Sequence, residues 1–402
     1  MPECVVCGGA TRLCLDLGQQ PLANALLSSQ NEAYDTYTLG IAECPTCSHG
    51  QLTHFVPPAQ LFKNYLYASG TGGALLPYFE WFAKQLSRCL PPNARVLEIA
   101  CNDGSLLDCF RDVGLNASGV DPAGNLTEVA CKKGHDVLTG FFPQTRHAGL
   151  FDAIVAMNVC AHTPEPRALM QGIAEMLAPS GTAFIQTSQA FMLQNAEFDT
   201  IYHEHYSFFT PASMTRLAND CGLRIEACKL VSVHGRSFMW LLRHTNAAPM
   251  AAAFNSGPPF DVAWPAPQPE YMSTPLSPEA AAASYRGFSE RAERTITAAR
   301  TVIDAEQQSG APVALVALTF IQAAGIRPDF YIDGAVLKIG RFVPGAQRAI
   351  STIESAGELG DDTLFMIGAW NFADTLSEKI RAQRPGKRTR FLVCFPELRH
   401  FN

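Results

Sequence analysis

Between residues 95 and 188 one pattern recurs four times: a short apolar run, a turn, and a helical stretch. RVLEIACNDGSLL starts it, with an apolar strand over residues 96–99. A second strand in ASGVDPAGNL stops at Asp121, a third lies in FDAIVAMNV, and a fourth in GTAFIQTS. Helical stretches such as PRALMQGIAEMLAP separate them. Strand–helix alternation at this spacing predicts an α/β fold with a parallel, doubly wound sheet. Ligands of such sheets bind at the carboxyl ends of the strands.

The candidate ligand-binding residues therefore sit at the strand ends and in the turns that follow: Glu98, Ala100, Asn102, Asp103 and Gly104, then Asp121 and Pro122, then Asn158. A glycine-rich dinucleotide turn is not present, since Ala100 stands where a strict motif has glycine and Gly104 is the one well-placed glycine. A pyrophosphate favours more glycines and a bare helix N-terminus. The acidic turn suits a ligand without phosphates, and Asp121 can accept both hydroxyls of a ribose. S-adenosylmethionine, with a ribose, an ammonium and a sulfonium, meets that description. A Rossmann-like domain with no cofactor is the alternative.

The chain has 402 residues, and at roughly 150 residues per domain two or three domains are expected. Residues 1–57 form one unit, ending at a Pro-Pro break, and 58–245 hold the doubly wound sheet. Residues 246–278, rich in proline and alanine with Phe254, Phe260, Trp264 and Tyr271 among them, read as a linker that packs on something. A helix is predicted over 278–308. PVALVAL, DFYIDG, TLFMIGAW and RFLVCF supply strands of a second Rossmann-like domain over 279–402. The net charge is −7 without a basic run, which speaks against a nucleic-acid surface. No apolar run reaches membrane-spanning length, and MPECVVCGGA lacks signal-peptide features, so a cytoplasmic protein without membrane contact is expected.

Cys4-x-x-Cys7 and Cys44-x-x-Cys47 stand 36 residues apart. A two-residue gap turns both thiolates of a pair toward one metal, and two pairs complete a tetrahedral zinc site. A strand or two fits between them. Four thiolates leave no open coordination position, so the zinc is read as structural. Cys14 and His49 are nearby spare ligands, and chance thiols are the bland alternative.

The densest chemistry lies in EFDTIYHEHYSFF (197–209), which packs two histidines, two tyrosines and three carboxylates into thirteen residues. Together with VLEIACNDGSLL, NVCAHTPEP, SVHGRSF and GAWNFAD, in that order, it resembles the sugar C-methyltransferase family, over nearly the whole chain. Those enzymes join an N-terminal zinc domain, a central methyltransferase domain that binds S-adenosylmethionine, and a C-terminal Rossmann-like domain. The resemblance implies methylation at carbon 3 of a thymidine-diphosphate-linked 4-keto-6-deoxyhexose in antibiotic biosynthesis. It implies His205 as the general base, with Tyr202, Glu204, His162 and Tyr67 at matching site positions.

That assignment is chemically coherent. A C–H beside a ketone is weakly acidic, and a neutral histidine suits its removal. Hydroxyls or a second imidazole can donate to the enolate oxygen that develops. Glu204 can orient an imidazole or bind a sugar hydroxyl. Three plainer readings stand beside it: a half-buried strand with Ile201 and His203 inward and Tyr202 outward, a metal cluster at HEH, and packing roles for His162 and Tyr67. Residues 69–73 read as a flexible gate or a turn near the cofactor.

Some motifs depart from the family. HGRSFM (234–239) stands for HGGSLR, and QTSQ with Gln186 and Gln189 for an E-x-P-Y run. No glycine lies between Gly310 and Gly325, where a phosphate-cradling loop is usual. LKIGRFVPGA and GAWNFAD are left as C-terminal candidates for ligand contact or packing. The departures keep two alternatives open: another small-molecule acceptor at C, O or N, and a non-catalytic zinc-containing scaffold.

Overall fold

The computed structural model describes residues 1–62, 68–70, 75–188, 190–231, 233–248, 278–316 and 325–402. Tyr67, Gln189, most of the 246–278 linker with its four aromatics, and residues 317–324 of the glycine-poor loop lie outside the described residues.

The N-terminal unit is an antiparallel sheet of β1 (Arg12–Gln20), β2 (Tyr37–Glu43) and β3 (Gly50–Leu52). β1 and β2 fill the interval between the two cysteine pairs. The central sheet begins with β4 (Arg95–Ile99), β5 (Asn116–Asp121), β6 (Asp136–Thr139), β7 (Phe151–Met157) and β8 (Leu177–Thr187), all parallel. β4 is buried on both faces through Val96, Leu97 and Ile99, as a central parallel strand must be. The short β9 (Ser207–Phe208) leaves this sheet and pairs with β3, Gly50 opposite Phe208 and Gln51 opposite Ser207. β11 (Ser237–His244), antiparallel to β8, and β10 (Leu223–Val231), antiparallel to β11 at the sheet edge, then complete the central sheet. Its order is β10-β11-β8-β7-β4-β5-β6, so the order reverses between β4 and β7.

The helix read over 278–308 spans Pro278–Gln308. Tyr285, Phe288, Ala292, Ala299 and Ile303 are buried at three-, four- and seven-residue spacings, one face of a helix. The C-terminal sheet contains β12 (Val313–Val316), β13 (Phe330–Ile332), β14 (Ile350–Ser351), β15 (Leu364–Ile367), β16 (Arg390–Val393) and β17 (Arg399–Phe401). Its order is β14-β13-β12-β15-β16-β17, with a second reversal between β12 and β15.

One core cluster joins all three units. Leu15, Ile41 and Leu52 pack with Phe198 and Tyr206, with Phe288 on the long helix, and with Leu315 and Leu392. Gly50 is a pressure point of this junction. A Cβ there would meet Tyr285 Oη at 2.6 Å and Phe208 Cβ at 3.2 Å. Gly50→Ala is therefore expected to destabilise by about 1–3 kcal/mol, the usual cost of overpacking, measured as a lowered urea midpoint with unchanged slope. A wild-type midpoint would contradict this packing.

Candidate active site

A cavity of about 520 Å³ opens where the units meet, within the range of ligand sites. The last residues of β4 and β5 and the turns after β4, β5 and β7 form one side, through Glu98, Ala100, Asn102, Asp121, Pro122 and Asn158. Asn24 of the N-terminal unit, His162, Tyr202, His205 and His234 form another. Lys338 and the GAWNF stretch after β15 close it from the C-terminal sheet. Both points of strand-order reversal thus lie at one cavity, where ligands of open α/β sheets are held.

The turn after β4 is unusual backbone. Ala100 (φ 58°), Asn102 (φ 54°) and Gly104 (φ 77°) are left-handed, a conformation costly for side chains other than glycine. Asp121 helps hold it. Its carboxylate accepts from the amides of Asn102 at 2.9 Å and Ala123 at 2.8 Å. Asp103 turns away from the cavity: it accepts from the Gly70 amide at 3.0 Å and the Ser105 hydroxyl at 2.7 Å. Gly104 likewise builds the turn and does not line the cavity. The Ser69 amide donates to Asn102 at 2.9 Å, so residues 69 and 70 of the expected turn do lie over this loop.

Glu98 is buried, and its Oε2 has no hydrogen-bond partner among the described residues. Burial, then Asp121 and Asp103, push its carboxyl well above the usual range. A cationic ligand with ribose hydroxyls relieves both features, and S-adenosylmethionine carries two positive centres and a ribose. These residues fit it. Gln186, at the end of β8, accepts from the Tyr78 hydroxyl at 2.6 Å and donates to Asn158 at 3.1 Å, a network the sequence did not disclose.

The HEH segment is a turn and not a strand. A 3₁₀ turn over Phe198–Thr200 precedes it, and Ile201, His203, Glu204 and His205 are all buried. Its far end is set by the β3–β9 pairing and by a capping box between Thr210 and Ser213 at the next helix. His205 Nδ1 lies 2.7 Å from the Thr200 carbonyl. A carbonyl only accepts, so Nδ1 carries the proton and Nε2 is an acceptor. Nε2 receives the Tyr202 hydroxyl at 3.0 Å. The His162 ring packs edge-on against His205, centroids 4.7 Å apart. Burial holds His162 and His234 down to about 4, and burial with His162 nearby holds His205 well below the ordinary value. All three are neutral imidazoles at pH 7.

His203 points the other way, with Nε2 3.3 Å from the Tyr37 carbonyl of β2. Glu204 accepts from Asn24 at 2.5 Å, a tie to the N-terminal unit that the sequence reading missed. It also missed Asp199 as a cavity residue, although that carboxylate stands in the motif. Asp199 Oδ2 accepts from the Trp370 indole at 3.0 Å.

The sulfurs of Cys4, Cys7, Cys44 and Cys47 all lie within 4.8 Å of one another. Cys4–Cys47 and Cys7–Cys44 are 3.6 and 3.4 Å apart, near the ~3.8 Å edge of a tetrahedron with Zn–S bonds of about 2.3 Å. They fit a zinc ion with every position taken. The spare ligands are engaged elsewhere: Cys14 Sγ donates to the Tyr285 carbonyl at 3.2 Å, and His49 Nε2 meets Ser207 Oγ at 3.2 Å. Among the described residues the HEH histidines belong to no metal-binding cluster.

A sheet of this order with acidic strand ends defines an S-adenosylmethionine-dependent methyltransferase, and the family models agree. A methyltransferase domain matches residues 77–227, a "Putative zinc binding domain" 4–62, and a C-methyltransferase C-terminal domain 279–396. The chain is 30% identical to C-methyltransferase NovU of Streptomyces niveus over 99% of its own length and 96% of that protein. It belongs to this family of three-part C-methyltransferases. Ubiquinone biosynthesis O-methyltransferase of Xanthomonas axonopodis pv. citri is 28% identical over 35% of this chain and 66% of that protein. Magnesium protoporphyrin IX methyltransferase of Synechocystis PCC 6803 superposes with a TM-score of 0.34 at 15% identity, over 42% of this chain and 79% of that one. Among the described residues no helix is long and apolar enough to cross a membrane.

Proposed function

We propose that the chain methylates carbon beside a ketone, on a nucleotide-linked 4-keto-6-deoxyhexose, with His205 as general base. The observation that carries this reading is the His205 ring. Its Nδ1–H is fixed on the Thr200 carbonyl, and its basic Nε2 lies beside the Tyr202 hydroxyl in the cavity formed by the acidic strand ends. S-adenosylmethionine, when bound, supplies the methyl group as an electrophile on a sulfonium.

The proton leaves the sugar carbon for His205 Nε2, directly or through the Tyr202 hydroxyl bonded to it. The C–H electron pair passes into the enolate. Glu98, Asp121 and Asn158 hold the cofactor side of the cavity, and Glu204, tied to Asn24, fixes the turn that carries the base. Lys338, 3.1 Å from Asp333, and the 368–372 stretch serve the sugar-nucleotide side. The zinc of Cys4, Cys7, Cys44 and Cys47 holds the N-terminal sheet and takes no part in the chemistry.

The test is incubation with S-adenosylmethionine and a panel of thymidine-diphosphate 4-keto-6-deoxyhexoses, with products read by mass and NMR. In deuterated buffer with S-adenosylhomocysteine, the α-hydrogen of an accepted sugar should exchange. Methylation of other acceptors while every 4-ketohexose stays untouched would replace this substrate class.

The buried histidines fix a pH dependence. His205 has a folded pKa below its ordinary value, so it stays neutral and basic as pH falls past about 6.5. The expected acid limb of kcat/KM, which reports the free enzyme, lies well under that value. The stability contribution has the same sign. Unfolded histidines protonate first, so stability from these three falls as pH drops from about 6.5 toward the folded values. An acid limb centred at the ordinary histidine pKa would remove His205 as the base.

A further inference from the structure

Asp199 is the one carboxyl of the HEH motif that lines the cavity. It is 7% exposed. Oδ2 takes the Trp370 indole N–H at 3.0 Å, while Oδ1 is buried without a hydrogen-bond partner among the described residues. Aromatic rings flank it: Phe395 packs against both Trp370, centroids 6.3 Å apart, and Phe198, 5.4 Å apart. No Lys or Arg is among the groups that act on this carboxyl. Lys338, the one Lys or Arg among the described residues that line the cavity, is engaged by Asp333. A lone buried carboxylate would carry an uncompensated charge, and such groups become neutral instead.

We propose that Asp199 is a further catalytic residue, an un-ionised carboxylic acid whose Oδ1–H donates a hydrogen bond to the carbonyl oxygen of the methyl acceptor. This role rests on the ketone reading above. With Oδ2 occupied as an acceptor of the indole, the acid proton resides on Oδ1, which has no hydrogen-bond partner among the described residues. Burial, then Glu197, push the carboxyl up to about 8, against the pull of the indole and of nearby main-chain amides. Thr200, whose carbonyl orients His205, is the next residue. Base and acid therefore ride on one turn: the base removes a proton from carbon while the acid faces the oxygen that gains charge. The acid keeps its proton throughout, and no bond to it breaks. Trp370 comes from the C-terminal unit, so this unit sets the acid in place. A donor aimed at a developing oxyanion in a dry site is worth about 10²–10³ in kcat.

The experiment compares wild type, Asp199→Asn and Asp199→Ala, all as full-length chains whose melting and S-adenosylhomocysteine affinity are checked first. An infrared difference spectrum at pH 7 between wild type and Asp199→Asn should show the carbonyl stretch of an un-ionised acid. With an accepted thymidine-diphosphate 4-ketohexose, Asp199→Ala should lose about 10²–10³ in kcat, and Asp199→Asn, which keeps an N–H donor, only about tenfold. An ionised Asp199 in the spectrum overturns the proposal. So does an Asn variant as impaired as the Ala variant, which would mark a carboxylate acceptor, or an Ala variant as fast as wild type. If no 4-ketohexose is turned over by wild type, the substrate reading fails, and the infrared band still decides the state of the acid.

Discussion

His205→Asn is expected to lower kcat by about 10²–10⁴, the contribution of a placed general base, with S-adenosylhomocysteine affinity nearly unchanged. The size of the effect follows from what the substitution keeps and removes. The asparagine amide can still donate to the Thr200 carbonyl, which His205 Nδ1 meets at 2.7 Å, so the turn stays closed. What goes is the Nε2 lone pair beside the Tyr202 hydroxyl. The strand ends proposed to hold the cofactor, Glu98 and Asp121, belong to β4 and β5 and not to the HEH turn. Single-turnover rates with S-adenosylmethionine, beside calorimetric titration of S-adenosylhomocysteine, separate the two effects. Solvent deuterium should also cease to enter the α-position of the sugar. A variant that turns over at the wild-type rate would take the proton transfer away from this residue.

Chelation, or Cys44→Ser, should act by a different route: loss of the fold first and of activity with it. A structural zinc contributes about 10–16 kcal/mol of apparent binding free energy in small domains, as much as the whole stability of an ordinary domain. Cys4, Cys44 and Cys47 are themselves part of a core that includes Phe209 and Met214. The sheet they anchor carries β3, which pairs with β9. The Leu52 amide also donates to the Tyr206 carbonyl at 3.0 Å, and Tyr206 donates its hydroxyl to the Val56 carbonyl. Metal loss therefore loosens the segment that carries His205, which contacts across 150 residues of sequence tie to this unit. Metal analysis should find stoichiometric zinc in wild type and a deficit in Cys44→Ser, with a melting transition much lower than that of His205→Asn. A zinc-free wild type, or a Cys44→Ser protein that melts and works normally, would end the structural-zinc reading.

Much of this molecule is local physics and was readable as such. Four apolar runs at the right spacing mark β4, β5, β7 and β8, because a buried parallel strand needs little beyond a short hydrophobic stretch. The helix over 278–308 shows its one-sided periodicity. Two C-x-x-C pairs foretell a four-sulfur cluster because the spacing itself directs both thiols to one point. Most of the turn residues named after the strands line the cavity, while Asp103 and Gly104 build the loop and do not.

The amino-acid order alone determined which groups this protein owns: the histidines of the HEH motif, an acidic turn after the first strand of the central sheet, two C-x-x-C pairs and a family-like succession of motifs. It did not say which histidine of HEH faces the cavity, and an alternating strand would have sent His203 inward and Tyr202 outward. Only the tertiary structure decided that His203 turns to Tyr37, that Asn24 ties down Glu204, and that Trp370 holds Asp199. Those partners are 166, 180 and 171 residues apart. No local period encodes such pairs, because the orientation of a buried polar side chain is set by whichever distant donor or acceptor satisfies it when the three units close on one core.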